Sequence, residues 1–235
     1  MDAAGWRVAL GEVARQTMSS PELERYFSVP ITRPRAQIIL TQLSLYVRHR
    51  RDCWAYVSGN CPLLAVKQKI LGHEYEEMIR DSHSEHGHLD LIIRQGKAIG
   101  LTAGDILDAK PLPTTTATLY AWGWMTREKS WLEGLAAMTI TEWNQDDRLL
   151  GDLGGGHAAR MGQRWIDHLG LSWDDLPNWK AHREADKEHS DMFLPVLAEF
   201  GVGEKEAVVL QAAEESEGLY RIYQAGIADA MEAVS

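Results

Sequence analysis

The chain has 235 residues, 45 % hydrophobic and 25 % charged, proportions that exclude disorder for its bulk and predict a single domain with a sizeable core. A formal charge of −10 argues against a nucleic-acid partner, and the one basic cluster, Arg48, His49, Arg50 and Arg51, is too short to offset it. Two cysteines, Cys53 and Cys61, cannot form a disulfide framework, the first residues lack a signal-peptide core, and no apolar run approaches the ~18 residues of a membrane span, so a cytoplasmic protein with no membrane partner is expected.

Apolar residues recur at helical spacing and no period-2 run is present, which predicts an all-α bundle. A first helix is predicted over 3–18, and Ser20-Pro21 reads as the N-cap and first position of a second. Helices are then predicted over 34–57, 63–83 and 87–99, with a short one opening at Thr102. Further helices are predicted over 114–126, 129–150, 157–169, 178–199 and 203–232. The glycine-rich stretch 151–156 reads as a loop, since it lacks the lysine of a phosphate-binding loop and no strand precedes it.

Nine histidines are many for this length, and three places combine them with carboxylates on one helix face. His182, Asp186 and His189 are spaced by four and three residues and share one stripe. Two imidazoles and a carboxylate make a ligand set for iron, manganese or zinc, and equally a polar surface stripe. His88 shares a face with Leu91, Ile92 and Ile99, which reads as a buried histidine, either hydrogen-bonded or ligating. If its helix were unbroken upstream, Glu74, Glu77 and Asp81 would point the same way, and Gly87 is the place for a break. Glu142 closes an apolar stripe of Trp131, Leu135 and Met138, where a carboxylate needs a partner: an arginine such as Arg148, or a metal. No nucleophile elbow or Cys-x-x-Cys pair is present.

Three inward-facing sets on three helices resemble the haem-oxygenase-like di-iron oxidases and oxygenases, a superfamily that also holds pyrroloquinoline quinone synthase and thiaminase II. The resemblance rests on His182-x3-Asp186-x2-His189, on the helix GHLDLIIRQGKAIGL around His88, and on Glu142, and it spans roughly residues 35–200. It implies a seven-helix bundle, commonly a homodimer, with two ferrous ions held by six side chains. Carried over, these are His88, Glu142, His182, Asp186, His189 and one further carboxylate. The family places Glu where this chain has Asp81, so that carboxylate is either Asp81 or Glu77. The implied activity is dioxygen-dependent oxidation of a small molecule, with an amino-acid derivative among the candidates, by N-oxygenation, C–C cleavage or desaturation. The alternative within the same fold is a metal-free enzyme, either synthase-like or a thiaminase-like hydrolase; the latter would need a cysteine, Cys53, facing the bundle centre. Of Tyr46, Trp54, Tyr56, Trp122 and Trp124, two are expected to touch substrate and the rest to be core.

Overall fold

The computed structural model describes residues 1–234, and of these the side chains of all but 184–188. Among the described residues there are thirteen α-helices and no strand. They are α1 (Ala3–Met18), α2 (Pro21–Ser28), α3 (Arg33–Asn60), α4 (Leu64–Met78), α5 (His88–Ala98), α6 (Ala103–Leu107), α7 (Pro113–Glu128), α8 (Trp131–Trp143), α9 (Asp147–Leu150), α10 (His157–Leu169), α11 (Pro177–Met192), α12 (Leu194–Phe200) and α13 (Lys205–Glu232). No helix among them is long and apolar enough to cross a membrane.

The caps follow the local chemistry. Ser20 Oγ accepts the Leu23 N–H with Pro21 at the first position of α2, as the sequence predicts. Ser130 with Glu133 forms a capping box at the start of α8. α8 is apolar nearly all round, from Leu132 to Trp143, and is correspondingly central: it packs against α13, α3, α7 and α11. Trp6, Trp54, Trp143, Trp165 and Trp179 are fully buried around it. Each such ring contributes roughly 2–3 kcal/mol by removal from water.

The resemblance implies seven helices and the periodicity eleven; thirteen form among the described residues, because two predicted helices break and a third stops early. The helix predicted over 63–83 stops at Met78. Asp81 Oδ1 accepts the backbone N–H groups of His83 (2.8 Å) and Ser84 (2.7 Å), a local turn that competes with helical hydrogen bonding. Gly87 then enters α5 at φ +72°, so close to the end of α4 that a Cβ would lie 2.5 Å from the Met78 carbonyl oxygen. The helix predicted over 129–150 ends at Trp143, and α9 restarts where the Asp146 side chain caps the Arg148 N–H. Pro195, which has no N–H, separates α11 from α12 within the predicted 178–199.

Candidate metal centre

His73 and Glu77 are one turn apart on α4, and both are buried. His88 opens α5, and His182 and His189 lie two turns apart on α11. The bundle brings these five residues together as two groups that share Glu77. His73, Glu77 and His189 form one group, and Glu77, His88 and His182 the other; in each, one donor atom from every residue lies within 4.8 Å of the others. The His73 and His189 rings sit 4.9 Å apart edge to face, and so do those of His88 and His182.

Each imidazole has one nitrogen engaged by an outer acceptor. His73 Nδ1 donates to Glu74 Oε1 (3.1 Å) and His88 Nε2 to Asp81 Oδ2 (2.9 Å). His182 Nδ1 donates to the Asn178 carbonyl (2.9 Å), and His189 Nε2 to Glu76 Oε2 (3.2 Å). That assignment leaves the second nitrogen of His73, His88 and His182 facing the shared carboxylate. His88 Nδ1 lies 3.1 Å from Glu77 Oε1 without hydrogen-bond geometry, His189 Nδ1 lies 3.8 Å from the same oxygen, and His73 Nε2 is buried without a partner. Outer carboxylates and carbonyls that fix the tautomer of a histidine are the usual second layer of a metal site.

Arg51, on α3, reaches both Glu74 Oε1 (2.9 Å) and Glu77 Oε2 (3.2 Å). Burial works to raise the Glu77 carboxyl, but Arg51, then His88 and His73, outweigh it and hold it well below the usual carboxylate range. Burial alone would depress His88; Glu77 and Asp81 instead raise it to about 9. At His182 burial, then the neighbouring His88, outweigh Glu77 and push the ring down to about 4.

Of the residues singled out in the sequence, Glu77, His88, His182 and His189 enter the two groups. Asp81 stands behind His88 as its hydrogen-bond partner rather than in either group. Glu142 pairs with Arg50, not with Arg148: Arg50 Nη2 donates to Glu142 Oε1 at 2.5 Å. Arg148 is taken by Asp146. The Asp186 side chain lies outside the described residues. His73 went unread in the sequence, although its spacing of four from Glu77 repeats that of His182 and Asp186.

Glu77, Glu142 and His182 line one cavity with about 50 Å³ of free space, whose far wall is aromatic: Tyr26, Tyr46, Trp179, Tyr220 and Tyr223. Of the five aromatic candidates Tyr46 lines it; Trp54 and Trp122 are core, and Tyr56 and Trp124 are exposed. Cys53 is buried with its Sγ 3.3 Å from His49 Nδ1, and burial pushes its thiol up to about 11. It does not line the cavity, so the cysteine that a thiaminase-like hydrolase would need is not at this centre.

A family model for iron-containing redox enzymes matches residues 37–221. The chain belongs to that family. Solved structures share its fold at low identity. A domain of unknown function with a heme oxygenase-like fold from Shewanella denitrificans aligns with TM-score 0.75 and 19 % identity over 99 % of this chain and 93 % of its own. A CADD-like protein of unknown function from Nostoc punctiforme aligns with TM-score 0.76 and 13 % identity over 99 % of each chain. A TenA homologue from P. horikoshii aligns with TM-score 0.67 and 9 % identity over 98 % of each. No curated protein matches the sequence. The family member described here therefore has a haem-oxygenase-like fold, and its iron-binding candidates are the imidazoles gathered on Glu77.

Proposed function

We propose that this family member is a dioxygen-dependent oxidoreductase that holds two ferrous ions and oxidises a small molecule. The observation that carries the reading is the sharing of Glu77 between two histidine pairs, each with one nitrogen fixed from outside. A buried His73 Nε2 without a partner, and imidazoles mixed with a carboxylate already ionised beside Arg51, suit iron. His73, Glu77 and His189 would hold one ion, and Glu77, His88 and His182 the other.

Ferrous ions there would supply the electrons that reduce dioxygen. The protein's part is positional. Asp81, Glu74, Glu76 and the Asn178 carbonyl each hold one nitrogen of a ring, so the four rings are oriented before any ion arrives. His88, kept protonated by Glu77 and Asp81, releases the proton from Nδ1 as that nitrogen becomes a ligand. Arg50 keeps Glu142 ionised at the cavity wall, and Glu142 becomes a further ligand only by giving up that pair. The aromatic wall excludes bulk water from the reacting centre.

The test is elemental analysis after anaerobic loading with ferrous iron and desalting. About two irons per chain are expected in the wild type, about one in His73→Ala and almost none in Glu77→Ala, because only Glu77 serves both ions. Absence of iron from the loaded wild type overturns the reading. Loss of one iron only in Glu77→Ala overturns the shared carboxylate.

A further inference from the structure

The cavity has two chemically different ends. At one, every charged side chain is compensated: Arg50 faces Glu142, and Arg51 faces Glu74 and Glu77. At the other, α10, α11 and α13 present neutral polar groups whose hydrogen bonds are not made. His157 Nδ1 and Nε2, Asn178 Nδ2 and Oδ1, Tyr223 Oη and Gln224 Oε1 are all buried without a partner. The four residues are 1–3 % exposed, and all four line the cavity. Buried polar groups in folded proteins are almost always paired, so four such residues around one space point to a molecule that completes them.

The fold holds these groups firmly. Gly156 lets α10 approach so closely that a Cβ would lie 2.2 Å from the Gln145 carbonyl oxygen, and the next residue, His157, donates its backbone N–H to the Asn144 carbonyl (2.8 Å). The His157 ring stacks on Tyr26 (centroids 5.6 Å, 14°) and meets Trp179 and Tyr220 edge on. Burial, then Arg160 and His182, depress this imidazole to about 3, so it is neutral, with one donor and one acceptor. Asn178 stands one turn before His182, and its carbonyl fixes that ring. A ligand on the Asn178 side chain is therefore beside the metal centre.

Charge and size restrict what fits. No uncompensated cation or anion lines this end, so a carboxylate or an ammonium would be buried without a counter-charge. The whole cavity has about 50 Å³, which at 10–15 Å³ per water-sized sphere is roughly three to five such spheres, so the group it takes has at most about four or five heavy atoms. We propose that His157, Asn178, Tyr223 and Gln224 form a subsite for a neutral carboxamide group carried by the substrate. The Asn178 amide can pair with a carboxamide through two reciprocal hydrogen bonds. The second amide hydrogen then goes to Gln224 Oε1 or His157, and Tyr223 donates to the ligand carbonyl. The assignment to the substrate rests on the proposed function, whereas the binding itself needs no metal.

The experiment is an NMR titration of the metal-free full chain labelled with ¹⁵N-histidine, using acetamide as the probe and acetate and methylammonium as comparisons. The His157 ring signals are identified by their loss in His157→Phe. Acetamide is expected to shift them saturably, with the two ions at least about tenfold weaker. Tyr223→Phe, which removes one hydroxyl and little else, should weaken acetamide roughly three- to tenfold, and Asn178→Leu more. Equal responses to all three probes, or no response to acetamide, overturn the subsite; in the second case the groups hold water only. A wild type that binds acetamide yet retains no iron keeps the subsite and loses the metal reading, so the two failures are distinguishable.

Discussion

Two buried carboxylates, Glu77 and Glu142, face adjacent arginines of α3 in opposite ways. Around Glu142 all four terminal N–H positions of the guanidinium are used: Arg50 reaches Glu142, the Tyr46 hydroxyl (3.2 Å), the Met138 carbonyl (3.0 Å) and the Thr141 hydroxyl. Around Glu77 one oxygen meets Arg51, while the other faces imidazole nitrogens, and His73 Nε2 stays without a partner. A saturated cluster holds helices together. A cluster with donors left over, all aimed at one carboxylate, is arranged for a group that is not part of the chain.

The sharpest way to break this contrast is to treat Arg50–Glu142 as a purely structural pair. Arg50→Met leaves Glu142, whose side chain is only 12 % exposed, unpaired and should cost about 3–5 kcal/mol, read as a fall in the urea midpoint at constant slope. The double variant Arg50→Met with Glu142→Leu should recover most of that loss, since an apolar pair of similar volume needs no compensation. A single variant that costs less than about 1 kcal/mol would show that Glu142 finds another partner, and the contrast with Glu77 would fail.

A third buried carboxylate sharpens the same comparison. Glu217 accepts from Asn144 Nδ2 at 2.9 and 3.0 Å, and burial prevails over that bond and over the more distant Arg221 and Arg50, raising it to about 7. Between the ordinary value of 4.5 and about 7 the folded chain holds a proton that the unfolded chain has released. The stabilisation is complete below 4.5 and fades as pH rises through 7, by about 3 kcal/mol in all at ~1.4 kcal/mol per unit. Glu217→Gln mimics the protonated form permanently. Its stability relative to the wild type should rise from pH 5 to about pH 7 and level off above it in urea melts, and a constant difference from pH 5 upward would show that Glu217 stays ionised.

Local chemistry made part of this legible in the sequence. Ser20 and Pro21 announced α2, and the spacing of His182 and His189 placed both on one face of a late helix. What went unread depends on distant partners. Arg50 reads as one of a surface basic cluster, yet it is buried by Glu142, 92 residues away. His73 falls outside the stripe of Glu74, Glu77 and Asp81 that the spacing runs into His88. The structure ends that stripe at Met78, and Asp81 reaches His88 from a turn instead of from the helix. The family pattern carried Asp81 and Glu142 as candidate ligands; the partners that engage them, His88 and Arg50, lie outside any local spacing rule.

Asp81 gives the smallest effect and the most specific one. Its Oδ1 holds the turn through His83 and Ser84, and its Oδ2 accepts from His88 Nε2. Asp81→Asn keeps an oxygen for the turn but puts an N–H where Oδ2 was. The His88 ring then does best with its proton on Nδ1, the nitrogen that faces Glu77, which is the wrong tautomer for a ligand. The variant should melt close to the wild type and lose about 10–100-fold in ferrous affinity at one of two sites, read by titration against a competing chelator. The site of His73 and His189, which shares only Glu77 with His88, should keep its affinity. An equal loss at both would mean that Asp81 acts on the whole centre and not through the orientation of one ring, and no loss at either would mean that the His88 tautomer is set elsewhere.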